Sequence, residues 1–324
     1  VTEVEVDIPV SAYHERMRKL FRRHHVAITR DDLRGDGPVG DDLDASSAFI
    51  LLYRQYLRDR WDVFDLDFRQ DRHDWSLALT AEERESFLGI AASFLHGSRQ
   101  LEVDLAEFMA GTAEEHKLHV AAQIETQARH TAFFGRFLCE VVDLEPTADA
   151  TILDRTFPLV QETFVGPFGL LAFQAEELRR NPHDPQARVR YGTTCFLWIQ
   201  GVLAASFSSV LLGFAAGRGM LPAFVAGARA MYLDHARHVR GGLLFLQQEL
   251  RRDPAVVDDI YATLRTILMV SAVSSRQAFH EPLGWSGDEI RLLVSSSLRR
   301  KCTDLGITLP AELEALLLPI SGQV

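Results

Sequence analysis

Two histidines one helical turn apart, His235 and His238 in YLDHARHV, are the first residues in this chain whose types and spacing suggest chemistry. Residues three apart on a helix share a face, and two neutral imidazoles on one face make half of a transition-metal site. The stretch QIETQARHTAFFGRFL offers Gln127 and His130 at the same spacing. Between them in sequence, IQGVLA carries Gln200, a lone amide in an apolar helix, where burial demands a hydrogen-bond partner. Metal-binding four-helix bundles draw one carboxylate from each of two helices and Glu-x-x-His from each of the other two. Three histidines and two glutamines at these spacings describe an altered form of that pattern.

The elements that must position these residues are helices. Helical spacing of apolar residues runs through most of the chain and strand-like alternation is scarce. Thr80 followed by Glu83 is a capping box that predicts a helix from about Ala81 to Met109, ended by Gly111 to Ala113. A second helix is predicted over 114–142. A third spans 153–180, with Pro158 and Pro167 expected to kink or divide it. An uncharged helix runs to Gly217, and Pro222 opens the helix that bears His235 and His238. Two more helices fall near 254–279 and 287–304, one begins near residue 45, and 61–75 reads as irregular. The expected fold class is all-α, a four-helix bundle with additional helices. Residues 1–45 form an N-terminal arm and 46–324 a single helical domain.

Composition limits the function classes. The chain has 324 residues, 47% hydrophobic and 24% charged, with a formal net charge of -11. Its basic clusters, such as RKLFRRHH (18–25) and LRRK (298–301), are short and scattered, so nucleic acid is not an expected partner. Cys139, Cys195 and Cys302 are widely spaced and show no CxxC pair, which predicts free thiols and a cytoplasmic location. VTEVEVDIPV has no basic region followed by an apolar run, so no secretory signal is expected. Cys195 to Gly217 lacks a charge over 23 residues and passes the length test for a membrane span. A helix buried within a bundle reads the same way, and that is the expectation here.

Four segments, WDVFDLDFRQDRHDWSLALTAEERESF, QARHTAFFGRFL, QGVLAASF and LPAFV through LDHARHVRGGLLFL, together resemble the ribonucleotide reductase small-subunit superfamily, a ferritin-like group. They look most like its ligand-binding oxidase branch. The resemblance covers about residues 60 to 250. It implies a homodimer, a dimetal centre and a small, partly apolar ligand in the bundle. The family's four metal-binding carboxylates align with Ser98 in GSRQL, Gln127, Gln200 and His235. Both family histidines, His130 and His238, are kept, and His235 adds a third.

The loss of carboxylates decides the expected metal. Two divalent ions carry +4, and four neutral side chains in a low-dielectric bundle do not balance that charge. A family-type dimetal centre is therefore not expected. Three neutral imidazoles, His130, His235 and His238, suit one transition-metal ion, copper, iron or zinc. Ser98, Gln127 and Gln200, with the nearby carboxylates Glu102 and Asp234, are supporting groups or alternative ligands. The expected reaction class is oxidation of a small molecule with dioxygen. Two alternatives stand beside it: a metal-free binding protein, in which the same polar groups satisfy one another and trapped water, and a metal-independent enzyme using histidine as acid and base.

Other positions narrow the resemblance. The radical-bearing tyrosine of reductase subunits lies four residues after the first histidine, where this chain has Phe134. The last tyrosine is Tyr261, and LLLPISGQV lacks a tyrosine-bearing tail, so a reductase role is not expected. The valine and tyrosine that crosslink in the oxidase branch align with Leu101 and Cys195. Leu101, Phe134 and Cys195 are thus expected to line the cavity, with Cys195 as a metal-proximal thiol or a small apolar residue. His116, His119 and Gln123 continue the polar face of the Gln127–His130 helix, and solvent or a subunit contact is their expected neighbour.

Overall fold

The computed structural model describes residues 45–147, 150–274 and 280–317. The arm expected over 1–45 falls almost wholly outside them. Eleven α-helices make up the described chain, which contains no strand. They are α1 Ala45–Asp59, α2 Arg69–Leu77, α3 Ala81–Ala110, α4 Glu114–Glu140, α5 Ile152–Arg180, α6 Pro185–Gly192, α7 Ala205–Gly217, α8 Pro222–Arg252, α9 Val256–Ser274, α10 Gly287–Leu305 and α11 Ala311–Leu317. A π-helical segment, Thr193–Ala204, joins α6 to α7 without a break.

Local sequence explains most of the helix starts. At α3 the capping box is complete, Thr80 Oγ1 accepting from Glu83 N and Glu83 Oε2 accepting from Thr80 N. Thr151 with Asp154 and Ser286 with Glu289 cap α5 and α10 in the same way. Helix α8 starts differently. Leu221 precedes Pro222 in the left-handed region at φ 53° and offers no side-chain cap. The free N–H groups of that first turn go instead to α2: Asp74 accepts from Leu221 N at 2.9 Å, and Asp71 from Ala223 N and Phe224 N at 2.9 and 2.7 Å.

Two expectations are corrected. The stretch 61–75 is ordered, with a 3-10 turn at Val63–Asp65 and helix α2, because its aspartates are consumed in capping α8. Helix α5 runs through Pro158 and Pro167 undivided. Each interior proline costs about 3 kcal/mol. Packing along α3, with Leu171, Ala175 and Leu178 in the core, offsets that loss.

The core has two lobes along the bundle. One gathers Phe87, Phe94, Phe133, Phe134, Phe137 and Phe224, the other Phe108, Tyr191, Phe196, Val239 and Phe245. The polar cluster lies between them on α3, α4, the π segment and α8. Pro185–Gly217 is long and apolar enough to cross a membrane, yet 72% of its most apolar window is buried within the protein. That burial is what a core helix requires.

Candidate functional site

Four elements bring the candidate residues together. His130 projects from α4 and His235 and His238 from α8, with exposures of 0, 5 and 2%. Their ring centroids form a triangle of 5.0 Å (His130–His235), 6.0 Å (His235–His238) and 6.2 Å (His130–His238). Phe94 stacks on His235 and on Phe134, closing the triangle on the α3 side. Ser98, Gln127 and Gln200 are buried with the histidines.

The π segment sets the position of Gln200. In an α-helix residues five apart diverge, whereas in the wider π turn they return to one face. Gln200 therefore stands over Cys195 and donates to its Sγ at 3.4 Å. This bond fixes the amide, leaving Gln200 Oε1 to accept from His238 Nδ1 at 3.1 Å. Gln127 Nε2 lies 3.4 Å from the same ring nitrogen, and Gln127 Oε1 is buried without a partner.

His130 is held from the opposite side. Its Nε2–H donates to Asp234 Oδ2 at 3.0 Å, and the indole of Trp61 donates to the same oxygen at 2.9 Å. Arg237 pairs with the other carboxylate oxygen. Burial alone would raise the Asp234 carboxyl, but His130, Arg237 and Trp61 outweigh it and hold it at about 2. Asp234 is thus an anion that orients His130 and leaves Nδ1 as the ring's acceptor. That Nδ1 is buried and unpartnered, as is Nδ1 of His235.

Burial keeps all three rings neutral. It pushes His235 down to about 3, with the neighbouring His130 adding to the effect, and moves His238 well below its ordinary value. His130 is lowered too, although Asp234 works against the shift. Neutral imidazole is the form that binds metals.

Other expected residues have other places. Glu102 turns away to pair with Arg99 at 2.7 Å. Leu101, Phe134 and Cys195 are 3, 0 and 0% exposed and packed in the core. Burial pushes the Cys195 thiol up to about 12, so it is an inert small residue rather than a reactive thiolate. His119 and Gln123 are buried, 3 and 2% exposed, not solvent-facing as their sequence position suggested. Trp61 and Arg237 complete the Asp234 network; neither was marked in the sequence, since one follows a helix and the other is an ordinary helical cation until α8 is packed.

An all-helical bundle with inward histidines on α4 and α8 and polar residues from two further helices defines the ferritin-like class. Solved structures make the likeness specific. The chain superposes on R2-like ligand-binding oxidases of the ribonucleotide reductase small-subunit superfamily. One is a valine-to-leucine variant with an anaerobically reconstituted Mn/Fe cofactor, at 19% identity and TM-score 0.67, covering 83% of this chain and 95% of that one. A valine-to-alanine variant gives 18%, 0.68, 85% and 97%, and a glycine-to-phenylalanine variant 19%, 0.68, 84% and 97%. No family model matches the chain. The likeness fixes the fold.

The donor set here does not fit a dimetal centre. Ser98, Gln127, Gln200 and His235 bring no negative charge to the histidines, and Asp234 is engaged by His130, Trp61 and Arg237. For one ion the arrangement is closer. Metal–nitrogen distances of about 2.0–2.1 Å place tetrahedral imidazole centroids roughly 5.2 Å apart, against the 5.0 to 6.2 Å seen here. As they stand, no three His, Cys, Asp or Glu side chains among the described residues are arranged to hold a metal.

Proposed function

We propose that this chain is an oxidoreductase-like protein in which one transition-metal ion, bound by His130, His235 and His238, replaces a dimetal centre. The observation that carries the reading is the pair of buried, unpartnered imidazole nitrogens, His130 Nδ1 and His235 Nδ1. Leaving such groups unmatched costs about 1–3 kcal/mol each, and a soft divalent ion satisfies both. Gln127 Oε1, likewise unpartnered, offers a neutral oxygen beside them. Copper, zinc and iron accept such donors, and a redox-active ion would supply dioxygen chemistry toward a small, partly apolar molecule. The protein's part is to fix His130 through Asp234, keep the imidazoles neutral and exclude bulk water with Phe94, Phe134 and Trp61.

A metal-free reading is favoured by one observation, the His238 Nδ1–Gln200 bond, which already closes part of the cluster. An acid–base enzyme is disfavoured, because an imidazole titrating near 3 is a poor proton donor at neutral pH. Calorimetric titration of the chelator-treated chain with copper(II) or zinc(II) separates the readings. Binding at one site, weakened in His130→Ala and in His235→Ala by at least about a hundredfold, supports the metal site, since losing an outer hydrogen-bond partner alone costs roughly 10- to 100-fold. Equal weak binding in all three chains overturns it.

A further inference from the structure

A polar row on α4 continues away from the histidine triangle through Gln123 and His119 toward half-buried His116. It ends at a cavity of about 20 Å³ between α1, α3, α4, α6 and α8, bordered by Phe49, Thr112, His116, His119, Gln123 and Arg188. The absence of a side chain at Gly241 makes this possible, for a Cβ there would lie 2.0 Å from His119 Nε2. A cavity of that size holds one water, which needs two or more polar partners.

The lining restricts what can enter. Gln123 Nε2 donates to the carbonyl of His238 at 3.3 Å and lies 2.8 Å from His119 Nε2. Because a carbonyl can only accept, the amide cannot flip, and its Oε1 remains buried with no partner. The occupant must donate a hydrogen bond to that oxygen, which excludes a simple anion such as chloride. Arg188 excludes a cation. Burial lowers its guanidinium to about 10, still charged at neutral pH. Its partners are the carbonyls of Phe108 and Pro182 and the hydroxyl of Thr112.

We propose that this cavity binds one neutral, water-sized hydroxylic molecule that donates to Gln123 Oε1, and that the row through Gln123 is the solvent contact of the histidine cluster. The inference concerns the metal-free chain and does not depend on which ion, if any, binds His130, His235 and His238.

NMR of the full-length, isotopically labelled, chelator-treated chain tests it with water as the probe. Magnetisation should pass from water to the Gln123 side-chain amide protons with the sign of a long-lived bound molecule. In Gln123→Leu, exchange of the His238 ring N–H with solvent should slow by about tenfold or more, while the slowest backbone amides of α4 and α8 keep their rates. A wild-type chain with no transfer to Gln123 has a dry cavity, and this alone overturns the proposal even where the variant does not fold. Unchanged ring exchange in a folded variant overturns the solvent path.

Discussion

Lowering the pH from 7 to 5 should destabilise the metal-free chain, and His119 isolates one share of that loss. Burial, with the nearby charges of Arg237 and His116, pushes this imidazole down to about 3. The ordinary histidine value is about 6.5. The unfolded chain therefore takes up a proton between pH 6.5 and 3 that the folded chain refuses, so stability is full above 6.5 and declines as pH falls through that window. At about 1.4 kcal/mol per unit of displaced titration, the loss from pH 7 to 5 is about 2 kcal/mol for His119. His235, also near 3, adds a similar amount. Asp234, held near 2, is still ionised in both states at pH 5 and contributes little. Guanidinium unfolding of wild type and His119→Gln, with chelator at both pH values, reads the difference. The variant should lose about 2 kcal/mol less than wild type. Equal losses would show that His119 is not held neutral by burial.

Four further outcomes follow from the structure. Asp71→Ala removes the acceptor for two N–H groups at the start of α8 and should lower stability by about 2–4 kcal/mol, measured by chemical unfolding. Asp234→Asn removes the nearer of the two carboxylates on buried Arg237, leaving only Asp59 at 3.8 Å, and should cost about 3–5 kcal/mol. Gly242→Ala would place a methyl 2.1 Å from Phe196 Cβ, and a Tm unchanged by it would contradict the close approach of α8 to the π segment. With Cys195 and Cys302 pushed up to about 12, a thiol reagent at pH 8 should modify Cys139 first and the other two only on unfolding, as peptide mass mapping would record.

Restoring the carboxylates tests the substitution argument itself. Ser98→Glu, Gln127→Glu, Gln200→Glu and His235→Glu combined should let the chain take up two iron or manganese ions, counted after reconstitution. A folded variant that binds neither would mean that more than the ligands has changed.

Much of the fold was legible because punctuation is local. Thr80 and Glu83, and the proline at the start of α8, act within one helical turn and mark its boundary in any context. The histidine triangle was legible through spacing, since i and i+3 fix a shared face before any packing is known. What escaped depends on packing. Whether Thr193–Ala204 winds as α or π changes which residue faces His238, and nothing in TTCFLWIQGVLA signals the wider turn. The stretch 61–75 reads as irregular because the partners of its Asp71 and Asp74 lie about 150 residues away. Pro158 and Pro167 read as breaks because the contacts of α5 with α3 are invisible in its own sequence. The burial of His119 follows from a glycine on another helix, Gly241.

Elemental analysis of the chain, purified without a histidine tag or chelator, tests the central claim most directly. Near one equivalent of copper, iron or zinc per chain, lost in His235→Ala, is the result expected of a single histidine-bound ion. Two equivalents, or none even after reconstitution, would contradict it.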